Sequence, residues 1–351
     1  RSIILPPEGT DPLEAAEQRE ERISERFSGR GRRMPMNNLR QATRPVGSSF
    51  IEQMPGTAPG LVCPLEWPAG SGTQKVIYAV PGVPWEMKEM VLGTILPDLQ
   101  RRAGITAVIA SRTLRTWGES ESGLAEILAP RIDELDRGGA ATIAFLASGM
   151  EGLKVRITAK ATTAAEVEEI LAEEEQLLRE LLGPIVFGVD DDTMESVVLD
   201  MLGSRGLSLG VAESLTGGMI GSRLCDVPGA SRVFRGSIVS YASEVKHALL
   251  GVPEGPVVTE EAARAMALGA RTVLGSDVGI AATGVAGPDS QEDRPPGTVC
   301  LAVAIGDPAA GGAVDSMEVR LPGRRHQVRE FTVITLLGLL RRRLLEQDEV
   351  G

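Results

Sequence analysis

Apolar residues recur along this chain with two periods, near two and near 3.6, and the switches between them mark out its elements. From residue 193 the succession is regular. MESVVLDMLGSRG reads as a helix, LSLGVAES as a strand, GMIGSRLCDV as a helix, GSIVSYA as a strand and SEVKHALLGV as a short helix. EEAARAMALGARTVLG is a further helix, VGIAATG, GTVCLAVAIG and VDSMEVRL are strands, and RHQVREFTVITLLGLLRRRLLEQ is a long closing helix. That succession predicts a complete α/β domain over residues 193–351.

Residues 103–190 change character. ITAVIASRTLRTWG is a strand, ESESGLAEILAPRIDEL a capped helix, and ATIAFLAS with GLKVRITAKA a strand pair around Gly149–Gly152. TTAAEVEEILAEEEQLLRELLG is a helix whose charges solvate one face, so this stretch reads as a small α+β unit. Residues 1–102 are less regular. EAAEQREERISERF looks helical with little apolar stripe, and residues 34–62 are loop-rich. KVIYAVPG reads as a buried strand ended by Pro-Gly, and VPWEMKEMVLGTILPDLQRRAG as a helix with Pro84 in its first turn. This is few strands for a whole α/β domain, and no solenoid repeat runs through the chain.

Composition narrows the function classes. A length of 351 residues suggests two or three domains, and 42% hydrophobic with only 3% aromatic residues suggests aliphatic layers. A net charge of -12 argues against broad nucleic-acid binding but leaves room for a small anion in a local basic pocket. Cys63, Cys225 and Cys300 stand far apart without a CxxC pair, which fits a reducing cytoplasm better than a disulfide or zinc framework. His247 and His326 are the only histidines, too few for a histidine-rich metal centre. No apolar run reaches membrane-spanning length and no signal peptide is expected; an opening without methionine suits a fragment or a processed product.

Four segments carry candidate chemistry. In VAESLTGGMIGSRL, Ser214 stands at a strand end before Thr216, Gly217 and Gly218, so it can react, or the turn can cradle an anion, or Ser214 can simply cap the helix. It is neither a Walker A loop nor a G-x-S-x-G elbow, since no GK[ST] follows and Ala212 replaces the first glycine. In SYASEVKHALLG, Ser243 is a candidate N-cap, and Lys246 follows in the first turn, where the helix dipole favours a neutral amine able to take a serine proton. Tyr241 can relay a proton or orient that lysine; the plain alternative is a solvated lysine beside a core-edge tyrosine. ATGVAGPDSQEDRPPGT offers Thr283, Gly284, Gly287, Asp289 and Gly297 for a ligand at a strand end, or is an ordinary surface loop. In LPGRRHQVREF, Arg324, Arg325, His326 and Arg329 crowd a helix N-terminus, an arrangement that a phosphate would relieve. Together these residues suit hydrolysis of an amide on a phosphorylated small molecule.

AESLTGGMIGSRLCDVPGAS, GSIVSYASEVKHALLGV, ATGVAGPD, PPGTV and PGRRHQVR resemble, in order and spacing over residues 193–347, the carboxy-terminal domain of the CinA family. That domain is a nicotinamide mononucleotide (NMN) deamidase, also called PncC. The resemblance implies a three-layer α/β amidohydrolase domain that makes nicotinate mononucleotide and ammonia within NAD recycling, without a cofactor, in a cytoplasmic homodimer. It implies Ser214 as nucleophile, Tyr241 and Lys246 as its Y-x-x-E-x-K partners, and Arg325 as the arginine meeting the phosphate. Thr216, Gly217, Gly218, Thr283, Gly284, Gly287, Arg324 and Arg329 complete the expected substrate contacts. Leu215 replaces a smaller family residue, and Arg324 an acidic one.

SRTLRTWGESESGLAE resembles the family's central KH-like domain, and RFSGRGRRMPMNNLRQA, MPGTAPG and VPGVPWEM its molybdopterin-binding-like amino-terminal domain. In some members that domain hydrolyses ADP-ribose with a divalent metal and potassium. Its G-G-L-G-P-T-x-D-D segment has no counterpart in RSIILPPEGTDPLEAAEQ. The expectation is therefore a partial domain without that activity, in which Asn38, Gly56, Thr57 and Pro59 are remnants of a ligand loop. A non-catalytic nucleotide-binding module is the remaining alternative, with no direct nucleic-acid or membrane partner.

Overall fold

A computed structural model describes residues 13–15, 42–53, 56, 58–104, 107–147, 149–306 and 312–350. The chain forms two compact units, divided between Thr106 and Ala107. No helix among the described residues is long and apolar enough to cross a membrane.

In the first unit β1 (Leu13–Ala15) pairs antiparallel with β2 (Thr43–Pro45). The polar helix expected from Glu14 therefore does not begin there, because Glu14 and Ala15 belong to β1; the rest of that expected helix lies outside the described residues. β3 (Ser49–Phe50), β4 (Leu61–Glu66) and β5 (Gln74–Ala79) form an antiparallel sheet in that order. β5 is a correction to the sequence reading: it is not buried, and Ile77 is 41% exposed. It is the edge strand, and only its Val76 and Tyr78 side pack toward the small core of Ile51, Val62, Met90 and Ile95.

Pro84 opens α1 (Pro84–Met90), which widens into a π-helical turn at Val91–Ile95 and continues as α2 (Leu96–Ala103) until Gly104 ends it with φ 59°. Pro97 lies at the start of α2 and has no N–H to offer the preceding turn, which accounts for the local widening.

The second unit begins with an antiparallel sheet ordered β7-β8-β6-β9. Its strands are β6 (Val108–Thr116), β7 (Ala141–Ala147), β8 (Leu153–Ala161) and β9 (Val186–Val189). α3 (Glu121–Asp136) and α4 (Ala164–Leu182) share its core, burying Leu124, Leu128, Leu171 and Leu178 with Val155 and Ile157. Both helices start where the sequence signals it. Ser120 accepts from the Gly123 N–H, and Thr163 forms a capping box with Glu166.

α5 (Met194–Ser204) leads into a five-stranded sheet ordered β11-β10-β12-β13-β14. β10 (Leu209–Glu213) runs parallel to β11 (Phe234–Val239) and β12 (Val278–Gly284), while β13 (Thr298–Ile305) and β14 (Ala313–Arg320) extend it antiparallel. α6 (Met219–Cys225), α7 (Ser243–Leu250), α8 (Glu260–Leu274) and α9 (Arg325–Val350) complete the fold.

The two faces of this sheet differ in residue size. Ala212, Ala281, Ala302 and Ala304 face α8 through its Ala263, Ala267 and Ala270. Val211, Ile280, Leu301 and Val303 face the other core with Val328, Ile334 and Leu337 of α9. Small residues let α8 approach so closely that a Cβ on Gly279 would lie 2.1 Å from the Ala267 carbonyl oxygen. The result is an α/β domain, as the periodicity predicted, with the three layers that the resemblance implied and two aliphatic cores.

Candidate active site

The three parallel strands end in register: Glu213 of β10 lies opposite Val239 of β11 and Ala282 of β12. The segments that leave these strands therefore meet at one edge of the sheet. The Ser214 N–H donates to Ala282 O at 3.0 Å, and the Ser240 N–H donates to Glu213 O at 2.8 Å, which carries the ladder one residue past the strands. Beyond it opens a cavity of about 460 Å³ lined by Ser214, Leu215, Tyr241, Lys246, Arg325 and the β12–β13 loop. This is the size range of small-ligand sites.

Ser214 is 8% exposed and does not cap α6, whose N-cap is Gly218 with φ 93°. Its hydroxyl makes no hydrogen bond among the described residues. Lys246 is 2% exposed, on the inner side of α7. Its ammonium donates to Tyr241 O at 3.3 Å, and no hydrogen bond joins it to Ser214 among the described residues. Burial pushes the Lys246 pKa below its ordinary value, while Glu292 and Glu244 oppose the shift. The direction matches the sequence argument, but burial is the main cause rather than the helix terminus. The N-cap of α7 is Ala242, not Ser243; Ser243 is the first helical residue and makes no side-chain cap.

Tyr241 follows the end of β11 and is 58% exposed. Arg325 holds it, donating through Nη2 to Tyr241 Oη at 2.6 Å and through Nη1 to Gly287 O at 2.9 Å. Arg324 is exposed and does not line the cavity; its N–H donates to Gln327 Oε1 at 2.9 Å. Arg329 clasps the turn after Ser214, with Nε donating to Leu215 O at 3.0 Å and Nη2 to Thr216 O at 2.6 Å. Thr283, Gly284 and Gly287 line the cavity, but the Thr283 hydroxyl donates to Val257 O at 2.8 Å. Gly284 permits a close backbone crossing, because a Cβ there would lie 2.5 Å from Thr298 O.

Thr216, Gly217 and Gly218 do not line the cavity. Thr216 is fully buried, the Gly217 N–H donates to Ser214 O at 3.0 Å, and the Gly218 N–H donates to Glu213 Oε2 at 2.9 Å. Glu213 is the residue the sequence reading missed. Its fully buried carboxylate also accepts from the Ile220 N–H at 3.0 Å, the Gly221 N–H at 2.9 Å and Ser237 Oγ at 2.7 Å. The helix terminus that the sequence offered to a ligand anion is filled by the chain's own acid. The available signal was an acid just ahead of a glycine-rich helix start. Among the described residues the N–H groups of Leu215 and Thr216 have no protein acceptor, and Leu215 lines the cavity.

Among the described residues no group of three or more His, Cys, Asp or Glu side chains is arranged to hold a metal ion. Of the expected remnants in the first unit, Asn38 and Thr57 lie outside the described residues. Gly56 and Pro59 sit in the segment leading into β4.

Comparison with known proteins identifies two family domains in the second unit. The family described as the CinA C-terminal domain matches residues 191–344, and the damage-inducible protein CinA KH domain matches residues 111–188. The chain is 48% identical over 339 residues to a CinA-like protein of Frankia casuarinae, covering 95% of this chain and 75% of that one. It is 40% identical over 337 residues to a CinA-like protein of Gloeobacter violaceus, covering 94% and 75%. A solved CinA superfamily protein from Klebsiella pneumoniae is 28% identical, covering 44% of this chain and 96% of that one with a TM-score of 0.41.

Proposed function

Because this chain belongs to the CinA family, and its carboxy-terminal domain gathers a serine, a buried lysine and an arginine in one cavity, we propose that it hydrolyses the carboxamide of nicotinamide mononucleotide. The observation that carries this reading is the burial of Lys246 in the cavity that Ser214 lines. A lysine kept from water and pushed toward its neutral form is a base suited to a serine hydroxyl.

In the proposed reaction Lys246 leaves the Tyr241 carbonyl and takes the Ser214 proton. Ser214 Oγ bonds to the carboxamide carbon, and the Leu215 N–H is the donor available to the resulting oxyanion. Lys246 returns the proton to nitrogen as the C–N bond breaks, and ammonia leaves. Water, deprotonated by Lys246, then cleaves the acyl-serine ester to nicotinate mononucleotide and restores Ser214. Arg325 is the cation at the cavity mouth for the phosphate, and it holds Tyr241 beside it.

The test is ammonia release from NMN by the purified chain, with and without a chelator, beside Ser214→Ala and Lys246→Ala. Release that ignores the chelator and is lost in both variants, with the fold retained by circular dichroism, is expected. No release from a folded wild-type chain would overturn the reading in favour of a nucleotide-binding module.

A further inference from the structure

The β12–β13 loop supplies one wall of the cavity through Gly287, Pro288, Asp289, Ser290 and Gln291. Its tip is a tight two-residue turn. Gln291 and Arg294 exchange backbone hydrogen bonds of 3.2 and 2.8 Å, and Glu292 and Asp293 both take positive φ, 53° and 58°. Residues with side chains adopt that conformation rarely, and something must hold it.

The holding contact reaches across the cavity rim. Glu292 Oε2 accepts from the Val257 and Val258 N–H groups, both at 2.9 Å, and Oε1 accepts from the Val257 N–H at 3.1 Å. Val257 and Val258 also line the cavity, just before the Thr259 N-cap of α8. Thr283 of β12 grips the carbonyl of the same Val257. Strand, loop tip and the Val257–Val258 segment thus form a closed ring, joined at the strand by the Thr283 hydroxyl and at the loop tip by the Glu292 carboxylate.

The same carboxylate acts on Lys246. The amine donates to the Tyr241 carbonyl, Glu292 from the loop and Glu244 on its own helix act on its charge, and Asp289 and Arg325 line the same cavity. Glu292 contributes more than Glu244 to keeping the lysine protonated against its burial.

We propose that Glu292 is a positioning residue of this site: its reach fixes the loop wall of the cavity against Val257 and Val258. The inference rests on the deamidase reading for its kinetic consequence only; the latch and the charge are measurable without turnover.

Three variants of the full chain separate the two effects. Glu292→Gln keeps the length and one acceptor oxygen but removes the charge. Glu292→Asp keeps the charge but is one methylene shorter, and Glu292→Ala removes both. Hydrogen exchange at the Val257 and Val258 amides is expected to speed up at least tenfold in the Asp and Ala variants and less in Gln. NMR titration of Lys246 in 13C-lysine-labelled protein is expected to move to lower pH in Gln and Ala and to hold in Asp. With NMN, KM should rise in Asp and Ala more than in Gln, and the acidic limb of the pH–rate profile, along which the base becomes neutral, should follow the lysine titration. Unchanged exchange in the Ala variant overturns the latch, and an unmoved Lys246 titration in Gln overturns the charge effect. If wild type releases no ammonia, the deamidase reading fails, while exchange and titration still decide the role of Glu292.

Discussion

Glu213→Gln isolates the buried carboxylate that organises the turn after Ser214. Oε2 accepts from the Gly218 and Ile220 N–H groups, and Oε1 from the Gly221 N–H and Ser237 Oγ. Glutamine keeps one acceptor oxygen and turns the other into a donor. The less costly orientation leaves oxygen at the Oε2 position and nitrogen at Oε1, where the Ser237 hydroxyl can rotate and accept. Gly221 is then left with a buried N–H facing another donor, at roughly 2 kcal/mol. The two surviving bonds lose their charge assistance, at about 1 kcal/mol each. The expected local loss is therefore about 4 kcal/mol, or nearly three decades in opening equilibrium. Hydrogen exchange at the Ile220 and Gly221 amides reads this directly and avoids assuming that a multidomain chain unfolds in two states. Exchange faster by less than tenfold would refute the reasoning, since it would mean that the carboxylate is not what holds the turn.

Lys246→Met should abolish deamidation yet stabilise the fold by about 1–2 kcal/mol at neutral pH, because it removes a buried cation with one protein hydrogen bond. The unfolded lysine holds its proton up to its ordinary value of 10.5 while the folded one releases it earlier, so wild-type stability rises with pH through that window. The advantage of the Met variant must therefore shrink as pH rises toward 10.5, and urea titrations showing it grow would contradict the assignment. Arg325→Lys gives up the fork that grips Tyr241 and Gly287 and should raise KM for NMN about 10- to 100-fold with a smaller change in kcat; a larger effect from Arg324→Lys would place the phosphate elsewhere. Gly279→Ala sets a Cβ 2.1 Å from the Ala267 backbone oxygen and should cost roughly 3 kcal/mol, seen as a lower urea midpoint, whereas an unchanged midpoint would show that α8 can withdraw.

Much of the fold was legible because its signals are local. The caps at Ser120 and Thr163 lie in the residues that start their helices, and the aliphatic runs of β10, β12 and β13 are strands as they read, buried on both faces. β5 misled because an apolar run shows that a strand is apolar, not that both its faces are covered, and a three-stranded edge covers one. Ser214, Tyr241, Lys246 and Arg325 were visible as residue types at chain punctuation, and register at the strand ends brings them together. The two glutamates were not visible as parts of the site. Glu213 finds its donors only when β10 is aimed at α6, and Glu292 meets Val257 across a separation of 35 residues.

In helix α7 the packing departs from the sequence pattern. Its sequence SEVKHALL presents Val245 and Leu249 as an i, i+4 apolar pair, which ordinary amphipathic reading would turn inward. The fold does the reverse: Val245 is 38% and Leu249 45% exposed, while Lys246 and Leu250 are buried. Rotating the helix by about one residue would bury both apolar side chains and free the lysine, with a gain in apolar burial and no buried charge. The chain forgoes that gain, and among the described residues the buried amine makes one hydrogen bond, to the Tyr241 carbonyl. A conflict between pattern and structure at one helix, centred on a lysine that shares its cavity with Ser214, is where a foldable sequence is expected to depart from its own rules for the sake of a site.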